Sequence, residues 1–202
     1  MSTVLPARLP PIVPQWPIYR LTVEDYLQMV ELGTLDEDDS IELLEGFLVP
    51  KMPKYPLHDS TIDYLQQYLM RIVPSCLFVR IQNSLITSDS VPEPDLAVVR
   101  GNPFDYRVRH PSGQDVELVI EVAESSVRHD RRKGAIYARA GVPEYWIVNL
   151  DEWQLEQMTN PQPDGNYGTT QTYHAGDAVR LVLAGTELGQ LPLKDLLTPP
   201  VA

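Results

Sequence analysis

The stretch that most constrains this chain is residues 117–150, ELVIEVAESSVRHDRRKGAIYARAGVPEYWIVNL. Leu118 to Val122 is an apolar run broken only by Glu121, and Tyr145 to Leu150 is a second apolar run. Runs without polar alternation belong to strands covered on both faces. Between them Ser125 or Ser126 can cap a helix that reaches about Ala140, with Gly141 as its stop. Two such strands joined through a helix are expected to lie parallel, with a right-handed crossover. The first strand also carries a carboxylate into the interior, which costs free energy unless something pairs with it. The fold must therefore supply a partner for Glu121.

Bulk properties narrow the field further. With 202 residues and 43% apolar content, the chain can bury one core. A formal net charge of -12 argues against a protein that coats DNA through bulk positive charge. It leaves room for an enzyme that grips phosphate locally, with a metal and a few cations. Cys76 is the only cysteine, so no internal disulfide and no zinc-finger spacing exist. No apolar run has the length of a signal peptide, or the roughly 18 residues of a membrane helix. The expectation is a soluble protein of a reducing compartment, the cytoplasm, with no membrane partner.

Residues 1–17 hold Pro6, Pro10, Pro11, Pro14 and Pro17 and read as an extended arm. Residues 18–202 read as one domain, with a core over about 20–155 and an antiparallel β extension over 156–202. Thr22 and Asp25 open a first helix whose apolar face is Val23, Tyr26, Leu27 and Val30, ended by Gly33. The acidic run Asp36 to Asp39 lacks the spacing of a calcium loop and reads as solvated. Ile41 to Val49 reads as a hairpin about Glu45-Gly46, and His58 to Ile72 as a helix stopped by Pro74. Leu77 to Gln82 and Leu85 to Thr87 look like strand. Proline is tolerated at a strand's start and not within it, so Pro92-Glu93-Pro94 places Asp95 at the entry of the strand Leu96 to Val99. Residues 100–114 form a loop that carries Arg100, Arg107, Arg109 and His110. Beyond Trp153, residues 153–158 and 169–173 can pair, 177–183 adds a strand, and Leu191 to Leu197 reads as a short closing helix.

Three groups stand out as chemistry: Asp95 at a strand entry, Glu121 in the next strand and Lys133 on the helix after it. Two carboxylates on neighbouring strands can hold a hard divalent cation, which completes its shell with water and substrate phosphate. A lysine beside them can orient or help deprotonate an attacking water and offset charge on the phosphate. Asp130, Lys133 and Tyr137 fall along one helical stripe. Spacing of this kind also arises in chains with no such chemistry. A two-carboxylate glycosidase fits less well, since it predicts neither the lysine nor the cations.

Several stretches, taken in order, carry a family resemblance. IELLEGFLV (41–49) is followed by His58 at a helix start, then VRIQ (79–82), PEPDLAVV (92–99), ELVIEVAESS (117–126) and AGVPEYWIVNL (140–150). Together they resemble the restriction-endonuclease-like family, abundant in cyanobacteria, of the PD-(D/E)XK nuclease superfamily. The resemblance covers about residues 20–155 strongly. It implies an α/β fold, with a restriction-endonuclease-like core and a mixed central β-sheet flanked by helices. It also implies an endonuclease that hydrolyses DNA phosphodiester bonds with Mg²⁺ or Mn²⁺ and leaves a 5′-phosphate and a 3′-hydroxyl, and a homodimer. Asp95 and Glu121 take the motif's acids. Ala123 stands where the motif has lysine, and Lys133 on the following helix is the match. That displacement keeps a second reading open, a catalytically silent binding module with the same fold. Glu42 is a further candidate metal ligand, through water, or a structural hydrogen-bonding group. Gln82 is expected to orient the lysine or a water, or to make a strand-edge amide bond; Tyr137 to pack or hydrogen-bond beside the site; and His58 to hydrogen-bond locally at its helix start or to take part in the site. Arg128, Arg131 and Arg132 are candidate phosphate contacts, or a solvated helix face.

Overall fold

Thr22 caps the first helix, α1 (Val23–Glu31), through the reciprocal bonds of a capping box with Asp25. The computed structural model describes residues 17–199, so the arm expected over 1–17 lies, but for Pro17, outside the described residues. The acidic run winds into a 3-10 turn, Glu37–Asp39. Strands β1 (Ile41–Leu44) and β2 (Phe47–Pro50) form the expected hairpin. Its turn residues Glu45 and Gly46 stand at φ 50° and 80°, the left-handed pair that a two-residue hairpin turn requires. Helix α2 (Pro56–Ile72) begins two residues before His58, because proline's fixed φ suits the first helical position.

The central sheet then assembles from β3 (Leu77–Ile81), β4 (Leu96–Arg100), β5 (Val116–Ala123), β6 (Glu144–Asn149), β7 (Gln154–Pro161) and β8 (Tyr167–Tyr173), side by side in chain order. Helix α3 (Val127–Arg139) joins β5 to β6. That pair alone is parallel, with Glu121 opposite Ile147, and the other neighbours are antiparallel. A hairpin of β9 (Ala178–Leu183) and β10 (Thr186–Pro192) follows.

Because side chains alternate along a strand, the sheet has two distinct faces. On one, Leu96, Val98, Leu118, Ile120, Val122, Trp146 and Val148 pack with α2 residues Ile62, Leu65 and Leu69 and with the β9–β10 hairpin. On the other, Ala97, Val99, Val119, Ala123, Tyr145 and Ile147 pack with Tyr137 of α3. Glu121 shares the parity of Val119 and Ala123, so it faces α3. The expected α/β architecture and mixed sheet are present. No helix among the described residues is long and apolar enough to cross a membrane.

Two local expectations are corrected. Leu85 to Thr87 is not a strand, and only Ile86 makes a bridge, to Ser112. The closing helix over Leu191 to Leu197 is absent. Leu191 belongs to β10, which folds back through Ala184 and Gly185 at φ 49° and 74°. Leu193, Leu196 and Leu197 are buried on the core from an irregular turn, which satisfies the same spacing as a helix face.

The lead into β5 is docked tightly. Gly113 opens a 3-10 turn, Gly113–Asp115, against the C-terminal end of α3. A β-carbon there would overlap the carbonyl oxygen and side chain of Ala140. Gly113→Ala is therefore expected to cost about 1–3 kcal/mol, the usual range for overpacking. Urea unfolding followed by circular dichroism measures it, and an unchanged midpoint would show that this approach is not tight.

Candidate active site

Asp95 and Glu121 are held by each other's strands. Pro94 leads Asp95 to the entry of β4, beside the point where Leu96 pairs with Ile120 of β5. The Asp95 backbone N–H donates to Glu121 Oε2 at 3.3 Å, and the Val122 N–H donates to Asp95 Oδ2 at 2.9 Å. His58, in the first turn of α2, donates from Nε2 to the same Oδ2 at 3.2 Å, while its Nδ1 faces Asp59 Oδ1 at 3.2 Å. A carboxylate oxygen can only accept, so the imidazole donates at both ends. Burial lowers the pKa of His58, but the bonds to Asp95 and Asp59 outweigh it and raise it above the ordinary value.

The partner that Glu121 needs comes from α3. Lys133 Nζ lies 2.7 Å from Glu121 Oε1 and 3.2 Å from Glu42 Oε2, with the residue only 4% exposed. Tyr137, one turn further along the same helical stripe, donates its hydroxyl to Glu121 Oε1 at 2.8 Å. Glu42 reaches in from β1 and accepts the Glu93 N–H at 3.1 Å, with His129 Nε2 at 3.5 Å from its other oxygen. Asp130 is buried on the same helix and accepts from Ser126 Oγ at 2.5 Å. Ala123, at the position where the lysine was expected, is fully buried in the apolar cluster around Tyr137.

This crowding of acids around one ammonium sets the electrostatics. Burial pushes Glu121 up to about 8 against the pull of Lys133, with Asp95, Asp130 and Glu42 adding to the rise. Burial raises Glu42 as well, but Lys133, His129 and the Glu93 N–H together bring it down to about 2. Burial disfavours the charge on Lys133, yet Glu121 and Glu42 more than offset it, so its pKa is raised. Lys133 is thus held cationic, with its ammonium against both carboxylates.

Asp95, Glu121, Glu42 and Lys133 line one open cavity. The cavity is strongly acidic: Glu93, Glu124 and Asp130 join those three carboxylates, against Lys51, Lys54 and Lys133. Glu124 Oε2 is buried there without a hydrogen-bond partner. Among the described residues no three acid, histidine or cysteine groups converge as a closed cation cluster, and the Lys133 ammonium sits between Glu42 and Glu121. Magnesium commonly takes only one or two carboxylates and keeps several waters. Asp95 and Glu121, as paired hard oxygen donors in a cavity with surplus negative charge, fit such an ion.

Other expected participants lie elsewhere. Gln82 reaches the site only through its backbone N–H, which donates to the Asp95 carbonyl at 3.1 Å. Gln82, which turns the chain at φ 49°, lines a second cavity beside α1 that shares Lys51 and Glu93 with the first. Arg131 is held by Glu156 in a two-pronged pair, with Nε 3.0 Å from Oε2, so it is not placed to contact phosphate at the cavity. Arg128 and Arg132 are exposed and do not line the cavity. In the loop patch, Arg100 pairs with Glu117, Arg109 with Asp115, and Arg107 lies over the Phe104 ring. Sequence reasoning missed His129, Lys51 and Lys54 as cavity residues. His129 was readable, because it stands four residues before Lys133 on the same stripe. The two lysines carried no such signal, since they lie on a loop.

The comparisons with known proteins agree with this architecture. A crystal structure titled as a putative nuclease belonging to DUF820, from Anabaena variabilis, superposes with a TM-score of 0.67 at 14% sequence identity, over 88% of this chain and 99% of that one. At that identity the likeness speaks for the fold. Comparison with the curated proteins finds no match. The model of the Uma2 family, described as "Putative restriction endonuclease", matches residues 23–193. That match spans most of the chain, which therefore belongs to the Uma2 family.

Proposed function

We propose that this protein is a divalent-metal-dependent endonuclease that hydrolyses DNA phosphodiester bonds, with Asp95, Glu121 and Lys133 at its catalytic centre. The observation that carries the reading is the Lys133 ammonium, turned inward from α3 to lie 2.7 Å from Glu121, whose other oxygen bonds the backbone of Asp95. An acid pair with a lysine in one cavity is the arrangement that phosphodiester hydrolysis asks for. The family description and the nuclease-like fold point the same way. The inward lysine also favours an enzyme over a silent binding module.

Asp95 and Glu121 would hold the metal, Mg²⁺ or Mn²⁺, with Glu42 assisting through water. When bound, the metal supplies charge to the phosphate oxygens and a lowered pKa for water. The protein's own groups do the positioning. His58 and the Val122 N–H both occupy Asp95 Oδ2, which leaves Oδ1 for a ligand. Tyr137 fixes the orientation of Glu121. Lys133, held cationic by Glu121 and Glu42, donates hydrogen bonds to the attacking water or to the phosphate, where charge builds in the transition state. Water adds at phosphorus and gives up a proton, the bond to the 3′ oxygen breaks and that oxygen takes up a proton from solvent, and the products are a 5′-phosphate and a 3′-hydroxyl.

Two outcomes are expected. Plasmid and oligonucleotide DNA should be cut in Mg²⁺ or Mn²⁺ and left intact in EDTA. Asp95→Ala should slow cutting at least about 100-fold, and Lys133→Ala should do so by a similar factor, the usual size of a lost electrostatic group. Purified protein that cuts no duplex, single-stranded or branched DNA under these conditions would overturn the reading. The second outcome needs no turnover. A proton competes with a metal for Glu121, whose pKa stands at about 8. The rise in Tm on adding Mg²⁺ should therefore grow between about pH 6.5 and about pH 9 and vanish in Glu121→Ala. A Tm indifferent to Mg²⁺ throughout that range would remove the metal site.

A further inference from the structure

The nuclease reading leaves open how an acidic protein holds a polyanion. Of the arginines that could have formed a basic groove, Arg100, Arg109 and Arg131 are each in an ion pair with a carboxylate, and Arg128 and Arg132 are exposed but do not line the cavity. Inside the cavity, Lys133 is held by Glu121 and Glu42, and Lys51 by Glu93 at 2.8 Å. Among the described residues, Lys54 is the one lysine of the cavity with no carboxylate in ion-pair reach. It stands on the loop between β2 and α2, close enough to His58 for its charge to disfavour that residue's protonation.

The same loop, Lys51-Met52-Pro53-Lys54-Tyr55, also exposes apolar surface. Met52 lines the cavity and is 50% exposed, and Tyr55, at the entry of α2, is 50% exposed. A free ammonium flanked by exposed thioether and phenol side chains offers one contact to a phosphate and others to the face of a base. Only an unstacked base can use such a platform. A duplex, by contrast, presents two charged strands and needs cations spread across the surface, whereas among the described residues that line the cavity Lys54 is the one lysine free of a carboxylate partner.

We propose that the loop Lys51–Tyr55 is the substrate grip, with Lys54 on a phosphate and Tyr55 and Met52 against a neighbouring base, and that the strand it holds is single-stranded DNA. This rests on the nuclease reading of the adjoining cavity. Asp95 and Glu121 then face the scissile phosphate, while the loop fixes the register of the unpaired strand across them.

Fluorescence anisotropy tests it on the full-length protein. The probe is a labelled oligonucleotide of about 20 nucleotides, single-stranded or annealed as a blunt duplex, with Ca²⁺ replacing Mg²⁺ to hold the oxygen ligands. The single strand should bind at least about tenfold more tightly than the duplex. Lys54→Gln should weaken its binding several-fold and reduce the slope of log K against log salt by about 0.7, one phosphate contact on a single strand. Tyr55→Ala should weaken it by about tenfold with the salt slope unchanged, and Tyr55→Phe should restore it. Preference for duplex, or wild-type affinity and salt slope in Lys54→Gln, overturns the inference and leaves the nuclease reading standing. Failure to bind either oligonucleotide also overturns the inference, and the cutting assay then decides the nuclease reading by itself.

Discussion

The structure turns on one buried ion pair. Glu121 stands in the middle of an apolar strand and Lys133 in the middle of a helix packed on that strand, and neither charge can be carried inside alone. Their contact fixes the rotation of α3 about its axis, since only one helical stripe can present Lys133 to Glu121 and Glu42 while Tyr137 meets Glu121 from the next turn. A buried pair of this kind adds little net stability, because desolvation takes back most of the Coulomb attraction. Its value lies in geometry. It holds a strand carboxylate and a hairpin carboxylate within hydrogen-bond distance of one cation beside an open cavity.

The second constraint is the surplus of acid around that pair. Asp95, Glu42, Glu93, Glu124 and Asp130 line the same space as Glu121, which only three lysines offset. Burial is the main reason that Glu121 rises to about 8, and its acidic neighbours Asp95, Asp130 and Glu42 add to the rise. A core selected for stability alone would not collect them, and such local conflict is typical of a working site. Several arginines, by contrast, are spent elsewhere. Glu117, Asp115 and Glu156 tie down Arg100, Arg109 and Arg131. Positive charge on this protein is thus local, and the electrostatics near the cavity differ from what a count of cations along the chain suggests.

Much of the fold was legible because its signals are local. The apolar runs of β4, β5 and β6, the capping box of α1, the left-handed turn at Glu45-Gly46 and the proline lead to Asp95 all act within a few residues. The inward turn of Lys133 was readable as a possibility from the stripe it shares with Asp130 and Tyr137. Other features were not legible. Leu191 to Leu197 has helical spacing, yet the hairpin turn at Ala184-Gly185 carries Leu191 into a strand. Gln82 read as a group to orient the lysine or a water, or as a strand-edge amide, but it stands at φ 49° and lines a cavity beside α1.

The sequence by itself determined the strand–helix–strand unit, the parallel pairing inside it, the approximate position of every strand of the central sheet, and the presence of a carboxylate that needed a partner. It could do so because alternation and helical periodicity are written residue by residue. Only the tertiary structure decided which groups meet. Glu42 and Lys133 are 91 residues apart (133 − 42) and touch only because the β1–β2 hairpin and α3 close on the same end of the sheet. Which arginines remain free, and which loop borders the cavity, were settled the same way. Ion pairs depend on distances in space, and a chain with acids and bases throughout offers many pairings of similar promise until packing selects among them.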